Sequence, residues 1–224
     1  MKNFIYLPIV ALFITGCKKE KELPVRPYPE IVSEKIAYAH GFEQWQNVSE
    51  IAYTFNVDRN SKHFERRWIW KPKSNDVIFI SETDTISYNR SKLDSVSMVI
   101  DRNFINDKFW LLTPFQLVWD TGTTILTPIK TKGEISQQVL NKITLIYPKN
   151  GGYTPGDAYD IFYDDNFLIK EWVYRKGNRA KPSMTTTFEN HQEFNGITVA
   201  LDHKKQRGNS EAHFAFAEQL TPKF

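Results

Sequence analysis

The sequence holds a single cysteine, Cys17, among 224 residues. One thiol excludes an intramolecular disulfide, a dithiol redox pair and a thiolate zinc site within one chain. Long apolar runs are also scarce. The run from Phe4 to Ile14 falls well short of the roughly 20 residues a helix needs to cross a bilayer core. Charge of one sign is not in excess either: 29 Lys and Arg against 26 Asp and Glu leave +3. That charge is scattered along the chain, without the clustered basic footprint that nucleic acid requires. No GxSxG nucleophile motif, GxxxxGK[ST] phosphate cradle or HExxH metal pair occurs, so the expectation is a binding protein without a cofactor and not an enzyme. What the chain does have is aromatic bulk, with 16 Phe, 10 Tyr and 6 Trp. That supplies a large core or the walls of a cavity.

The N-terminus has the organisation of an export signal. Lys2 precedes the apolar stretch Phe4 to Ile14, and small residues lead into Cys17. The tetrapeptide Ile14-Thr15-Gly16-Cys17 resembles the lipobox of bacterial lipoprotein precursors. The resemblance implies cleavage before Cys17 and acylation of its thiol, which also accounts for a lone cysteine in an exported chain. The expected division is a signal peptide at 1–16, a lipidated tether at 17–28 and one β domain at 29–224. Within the tether, charged residues and the prolines Pro24 and Pro27 favour an extended chain over a packed one. There is no Asp directly after Cys17, which by the same resemblance argues for the outer membrane, on its periplasmic or surface face.

The body reads as one helix followed by many strands. Ile31, Val32, Ile36 and Ala39 have helical spacing between Pro29 and Gly41. Period-two alternation marks strands at Ile51 to Asp58 and Phe64 to Trp70, with shorter ones at Val77 to Ser81 and Thr85 to Asn89. From Ile100 to Trp119 the spacing turns helical, and Thr113-Pro114 must end or kink that helix. Strands return at Asn141 to Tyr147, Tyr159 to Tyr163, Leu168 to Arg175, Met184 to Phe194, Ile197 to His203 and Glu211 to Ala217. Asn195-Gly196 signals a type I′ hairpin, and the segment from Pro148 to Asp157, with two Gly in succession, reads as a long flexible loop.

Three segments, Ala39 to Trp45, Asn106 to Phe115 and Ala158 to Asp164, resemble uncharacterised Bacteroidetes lipoproteins of the LolA/LolB-like lipoprotein-carrier class. The resemblance implies a mainly β (α+β) fold: a curved antiparallel meander forming an open half-barrel around a helix, with a helical insert. It also implies a cell-envelope protein holding an acyl chain, lipid or lipoprotein in an apolar concavity; with the lipobox the expectation is a lipid-anchored one, and with no heptad or long amphipathic surface a monomer.

The histidines and a cluster of aspartates are the other candidates for chemistry. His40, His63, His191, His203 and His213 show no ligand spacing, and Asp157, Asp160, Asp164 and Asp165 lack the order of a calcium loop. Tyr53, Phe55, Trp68, Trp70, Trp172 and Tyr174 occupy alternate strand positions, so each set shares a sheet face. With Phe109 and Trp110 of the insert, expected as a lid at the cavity mouth, they are the candidate ligand-binding set. The same aromatics, if exposed, would suit a glycan-binding surface lipoprotein, and a packed core would leave an envelope assembly scaffold.

Overall fold

The computed structural model describes residues 31–59, 62–207 and 210–216, with side chains as far as Lys204. Residues 1–30, which hold the segments expected as signal peptide and tether and include Cys17, lie outside the described residues. Helix α1 (Val32–Ala39) ends at His40, and Gly41 follows with φ 82°, the left-handed position where glycine stops a helix without Cβ strain. A 3-10 turn at Phe42–Asn47 leads into strands β1 (Ile51–Arg59), β2 (Lys62–Lys71), β3 (Asp76–Ile80) and β4 (Thr85–Asn89). Helix α2 (Ser95–Trp119) then carries the chain to β5 (Thr124–Ile125), β6 (Ile129–Lys132), β7 (Val139–Ile146), β8 (Ala158–Tyr163), β9 (Ile169–Arg175), β10 (Met184–Thr187), β11 (Glu189–Phe194), β12 (Ile197–Arg207) and β13 (Ser210–Phe216).

All the pairings are antiparallel, and the strand order is β4-β3-β2-β1-β13-β12-β10-β9-β8-β7-β5, with β11 beside β12 and β6 beside β7. The fold is thus mainly β and the sheet is open, because β4 and β5 are its two ends and do not pair. Those ends are consecutive in the chain except for α2. The helix therefore has to carry the chain from one edge of the sheet to the other, which lays it across a face.

The contacts of α2 show that the sheet wraps it. Asp107 accepts hydrogen bonds from Arg66 and Trp68 on β2. Trp110, three residues on and about 4.5 Å further along the axis, packs edge-on against Trp172 of β9 at 4.9 Å. In a flat sheet β2 and β9 would stand about 24 Å apart at roughly 4.8 Å per strand, twice the width of a helix with its side chains. Only a curved sheet brings both to the same turn. The helix in the concavity is α2, the segment that sequence spacing marks as an insert; α1 packs beside it.

Local chemistry explains α2's ends and its bend. Asp94 caps the N-terminus by accepting from the Ser97 amide at 2.7 Å, while the Ser97 hydroxyl accepts from the Asp94 amide at 2.9 Å. This reciprocal box starts the helix at Ser95, five residues before the apolar periodicity that located it in the sequence. Pro114 does not end it. Its ring has no N–H to donate to the preceding turn, and the helix departs from helical backbone angles at Leu112 (φ −114°, ψ 28°), while the Thr113 hydroxyl donates to the Phe109 carbonyl.

Two strands expected as one are broken: Met184 to Phe194 divides at Phe188 into β10 and β11. The break lets β12 pair with β11 near its start and with β10 further on. At the β11–β12 turn, Asn195 (φ 52°) and Gly196 (φ 79°) have the paired positive φ of a type I′ hairpin. Strands β5 and β6, which lack alternation, were not apparent from sequence.

Candidate functional site

Alternation on the strands and the passage of α2 put the aromatics on one inner face. Tyr53 stands opposite Trp68, and Tyr159 opposite Tyr174. Ring contacts run continuously from Trp68 and Trp70 through Phe104, and from Trp110 through Trp172 to Tyr159 and Tyr174. Between helix and sheet lies a slot of about 400 Å³, within the roughly 300–1,000 Å³ typical of small-molecule sites.

Phe55 and Val57 of β1 form one wall of the slot, and Trp172, Tyr174, Tyr159 and Met184 of β8 to β10 form the other. Trp110 and Asn106 of α2, Arg66 of β2 and Tyr153 and Thr154 of the β7–β8 loop complete it. In strand order the two walls are separated by β13 and β12, and backbone register sets Phe216 beside Phe55 and Phe214 beside Val57.

Of the eight aromatics singled out from sequence, Phe55, Trp110, Trp172 and Tyr174 line the slot. Tyr53, Trp68, Trp70 and Phe109 belong to the core around α2. Phe109 is fully buried, stacked on Tyr153 at 3.9 Å with the rings 10° apart. Trp110 forms inner wall. Neither stands at the mouth as a lid, because α2 runs inside the sheet and not across its rim. None of the six tryptophans is exposed, so no tryptophan platform faces solvent for stacking on sugars.

Sequence reasoning missed Val57, Arg66, Asn106, Tyr153, Thr154, Tyr159 and Met184. Arg66 carried a signal, a cation at an alternate position between Phe64 and Trp68 on an aromatic strand face. Tyr153 carried none, being a loop residue whose place depends on tertiary packing.

Most polar groups of the slot are held by one another. Arg66 donates to Asp107 through Nε (2.7 Å) and Nη2 (2.6 Å), and Trp68 Nε1 and Asn106 Nδ2 add bonds of 2.9 and 3.0 Å. The Asp107 side chain is fully buried and the Arg66 side chain only 16% exposed. Burial raises the Asp107 carboxyl above its ordinary value, opposed by Arg66, Asn106 and Trp68. Tyr153 donates to Asn106 Oδ1 at 3.2 Å, Thr154 to Tyr159 at 3.2 Å and Tyr174 to Asp157 at 2.7 Å. Burial pushes the phenols of Tyr153, Tyr159 and Tyr174 up, so all three stay neutral at physiological pH. The site offers apolar walls and neutral hydroxyls around one compensated ion pair.

The remaining candidates have structural partners. His40 donates from Nδ1 to the Thr198 carbonyl (2.9 Å) and accepts the Ile169 amide at Nε2 (3.3 Å). Burial lowers its pKa to about 4, so it stays neutral. His203 donates to the Thr187 carbonyl, and His63 meets Asp58 on the surface. Register sets His213 beside Lys204. Asp160 pairs with Arg175, Asp164 caps the β8–β9 turn and Asp165 accepts from Asn141. Among the described residues no three His, Cys, Asp or Glu side chains gather as a metal site, and no helix is long and apolar enough to cross a membrane.

No family model matches the sequence, and no curated protein matches it. Solved structures resemble its backbone course. A LolA superfamily protein from Nitrosomonas europaea is 9% identical, with a TM-score of 0.49, over 87% of this chain and 95% of that one. A DUF1329 family protein from Desulfovibrio piger is 12% identical, with a TM-score of 0.45, over 86% and 93%. At these values the likeness describes the course of the chain, and the functional reading rests on the slot.

Proposed function

We propose that the protein is a non-catalytic, lipid-anchored binding protein of the bacterial cell envelope that holds an acyl chain in the slot beside α2. The observation that carries this reading is the slot itself: about 400 Å³ walled by Phe55, Val57, Trp110, Trp172 and Met184. Its phenols are neutral and already hydrogen-bonded. Such walls gain free energy by removing apolar surface from water, at roughly 25 cal/mol per Å². They also lack the pairing of nucleophile and base that catalysis of acyl transfer would need.

The anchor is the thiol of Cys17, and the outer membrane is its place, on the strength of Ile14-Thr15-Gly16-Cys17 and the residues that follow. Native mass spectrometry of the full chain extracted from membranes tests the reading. A co-purifying lipid released on unfolding supports it; a bare polypeptide that also fails to take up any acyl probe overturns it. Metabolic labelling with a fatty-acid analogue tests the anchor, and label persisting on Cys17→Ala would refute acylation at that thiol.

A further inference from the structure

The acyl reading leaves open what stands at the polar end of the chain, and the slot's unused hydrogen bonds bear on that question. Arg66 spends Nε and Nη2 on Asp107, and its Nη1 has no hydrogen bond among the described residues. Trp172 lines the slot and is 1% exposed, and its Nε1 is buried without a hydrogen-bond partner there. Both are donors. Of the two, the Trp172 N–H is the buried one, and a buried N–H left unpaired is costly, so a ligand that brings an acceptor to this part of the slot relieves that cost.

The acceptor's charge is constrained as well. The Arg66 cation is neutralised by a bidentate carboxylate that no solvent reaches. A second carboxylate, Asp157, stands behind Tyr174, accepting from its hydroxyl and from the Gly177 amide. An anionic head group entering here would lose its water and meet no net positive charge. A neutral carbonyl would gain hydrogen bonds and lose little.

Resting on the acyl-chain reading, we propose that the slot selects neutral esterified acyl lipids, whose carbonyl accepts from Arg66 and Trp172, over free fatty acids. The pairing of Arg66 with Asp107 thus tunes the site, using an arginine as a hydrogen-bond donor while withholding its charge. Amides of fatty acids share the chemistry of the ester carbonyl and belong to the same class.

The test is a titration of the full chain, followed by tryptophan fluorescence, with decanoate and with its glycerol monoester at neutral pH. The monoester should bind about tenfold more tightly than decanoate. Trp172→Phe keeps an aromatic side chain but removes the donor, and the packing area lost with the pyrrole ring is shared by both ligands, so it should weaken the monoester about three- to tenfold and leave decanoate less affected. Asp107→Asn frees the Arg66 charge and should close or invert the preference. Should that variant fail to fold, the Trp172→Phe comparison decides alone. Decanoate binding as tightly as the monoester to the wild type, or equal losses for both ligands in Trp172→Phe, would overturn the selectivity and leave the acyl slot standing. Binding of neither ligand would instead overturn the acyl slot, and the selectivity with it.

Discussion

His40 makes the stability of this fold depend on pH in a way whose sign and size follow from its surroundings. The side chain is 1% exposed and neutral, joined to the start of β12 through Thr198 and to the start of β9 through Ile169. Burial lowers its pKa from 6.5 to about 4, the Thr198 carbonyl opposes that fall, and nearby His191 adds to it, with Asp164 and Lys170 acting in opposite senses. Between those two pH values the unfolded chain takes up a proton that the folded chain refuses, so stability falls as pH falls. The contribution is complete above pH 6.5 and gone near pH 4. At about 1.4 kcal/mol per unit the loss comes to roughly 3 kcal/mol. Urea unfolding of wild type and His40→Gln across this range isolates the effect, since the other titrating groups, His191 included, are common to both proteins. The variant is less stable at pH 7, because the Ile169 amide or the Thr198 carbonyl loses its partner, but it should lose about 3 kcal/mol less on acidification. Parallel curves for the two proteins would show that His40 is protonated in the folded state and refute the reasoning.

Gly41 and Gly196 approach so closely that a Cβ on Gly41 would stand 1.8 Å from the Gly196 carbonyl oxygen, at φ 82°. Gly41→Ala should therefore destabilise by more than about 2 kcal/mol, whereas Gly151→Ala, with φ 84° but no atom within 4 Å, should show only the backbone strain of about 1–2 kcal/mol; thermal unfolding of the pair separates clash from strain. Lys108 donates to Gln116 and sits over the rings of Trp70 and Trp119, where burial lowers its pKa to about 8. Stability should rise between pH 8 and 10.5, as the unfolded chain keeps a proton the folded one has released, and unfolding of Lys108→Met should lack that rise.

The sequence was most legible where one local rule governed. Alternation of Tyr53 and Phe55, and of Trp68 and Trp70, located β1 and β2 because one face of each is buried. Gly41 and Asn195-Gly196 announced their turns because few other residues adopt positive φ there. The role of α2 was not legible. Its periodicity marked a helix, yet only the pairing of β1 with β13 makes its two flanking strands the opposite edges of one sheet, and that is a long-range fact. The slot was half legible for the same reason. Phe55, Trp110, Trp172 and Tyr174 could be named from strand and helix periodicity, but the division between packed and lining aromatics depends on where curvature leaves a gap. Strands β5 and β6 are short edge pieces held by β7, and their sequence has no period to read.

The β7–β8 loop, not α2, is the element placed to control access. Pro148 to Asp157 reads as flexible in the sequence, and Gly151, Gly152 and Gly156 do have positive φ, yet the loop is tied down: Asp157 at its end accepts from Tyr174 and the Gly177 amide, Thr154 donates to Tyr159, and Tyr153 at its middle stacks on Phe109 and donates to Asn106. Tyr153 and its neighbour Thr154 line the slot, so lifting this loop opens it. A stacked pair contributes about 0.5–1.5 kcal/mol beyond its buried area, and the phenol's hydrogen bond adds a similar amount. If the loop must release both contacts for a ligand to leave, Tyr153→Ala should speed dissociation of a bound acyl probe by about tenfold or more, while Tyr153→Phe, which keeps the stack, should speed it about threefold. Stopped-flow displacement measures both rates, and urea unfolding checks that global stability has changed much less than it would for a core residue such as Phe109. Dissociation rates unchanged in both variants would mean that ligand leaves by another route, between the β1 and β10 walls, with the loop fixed in place.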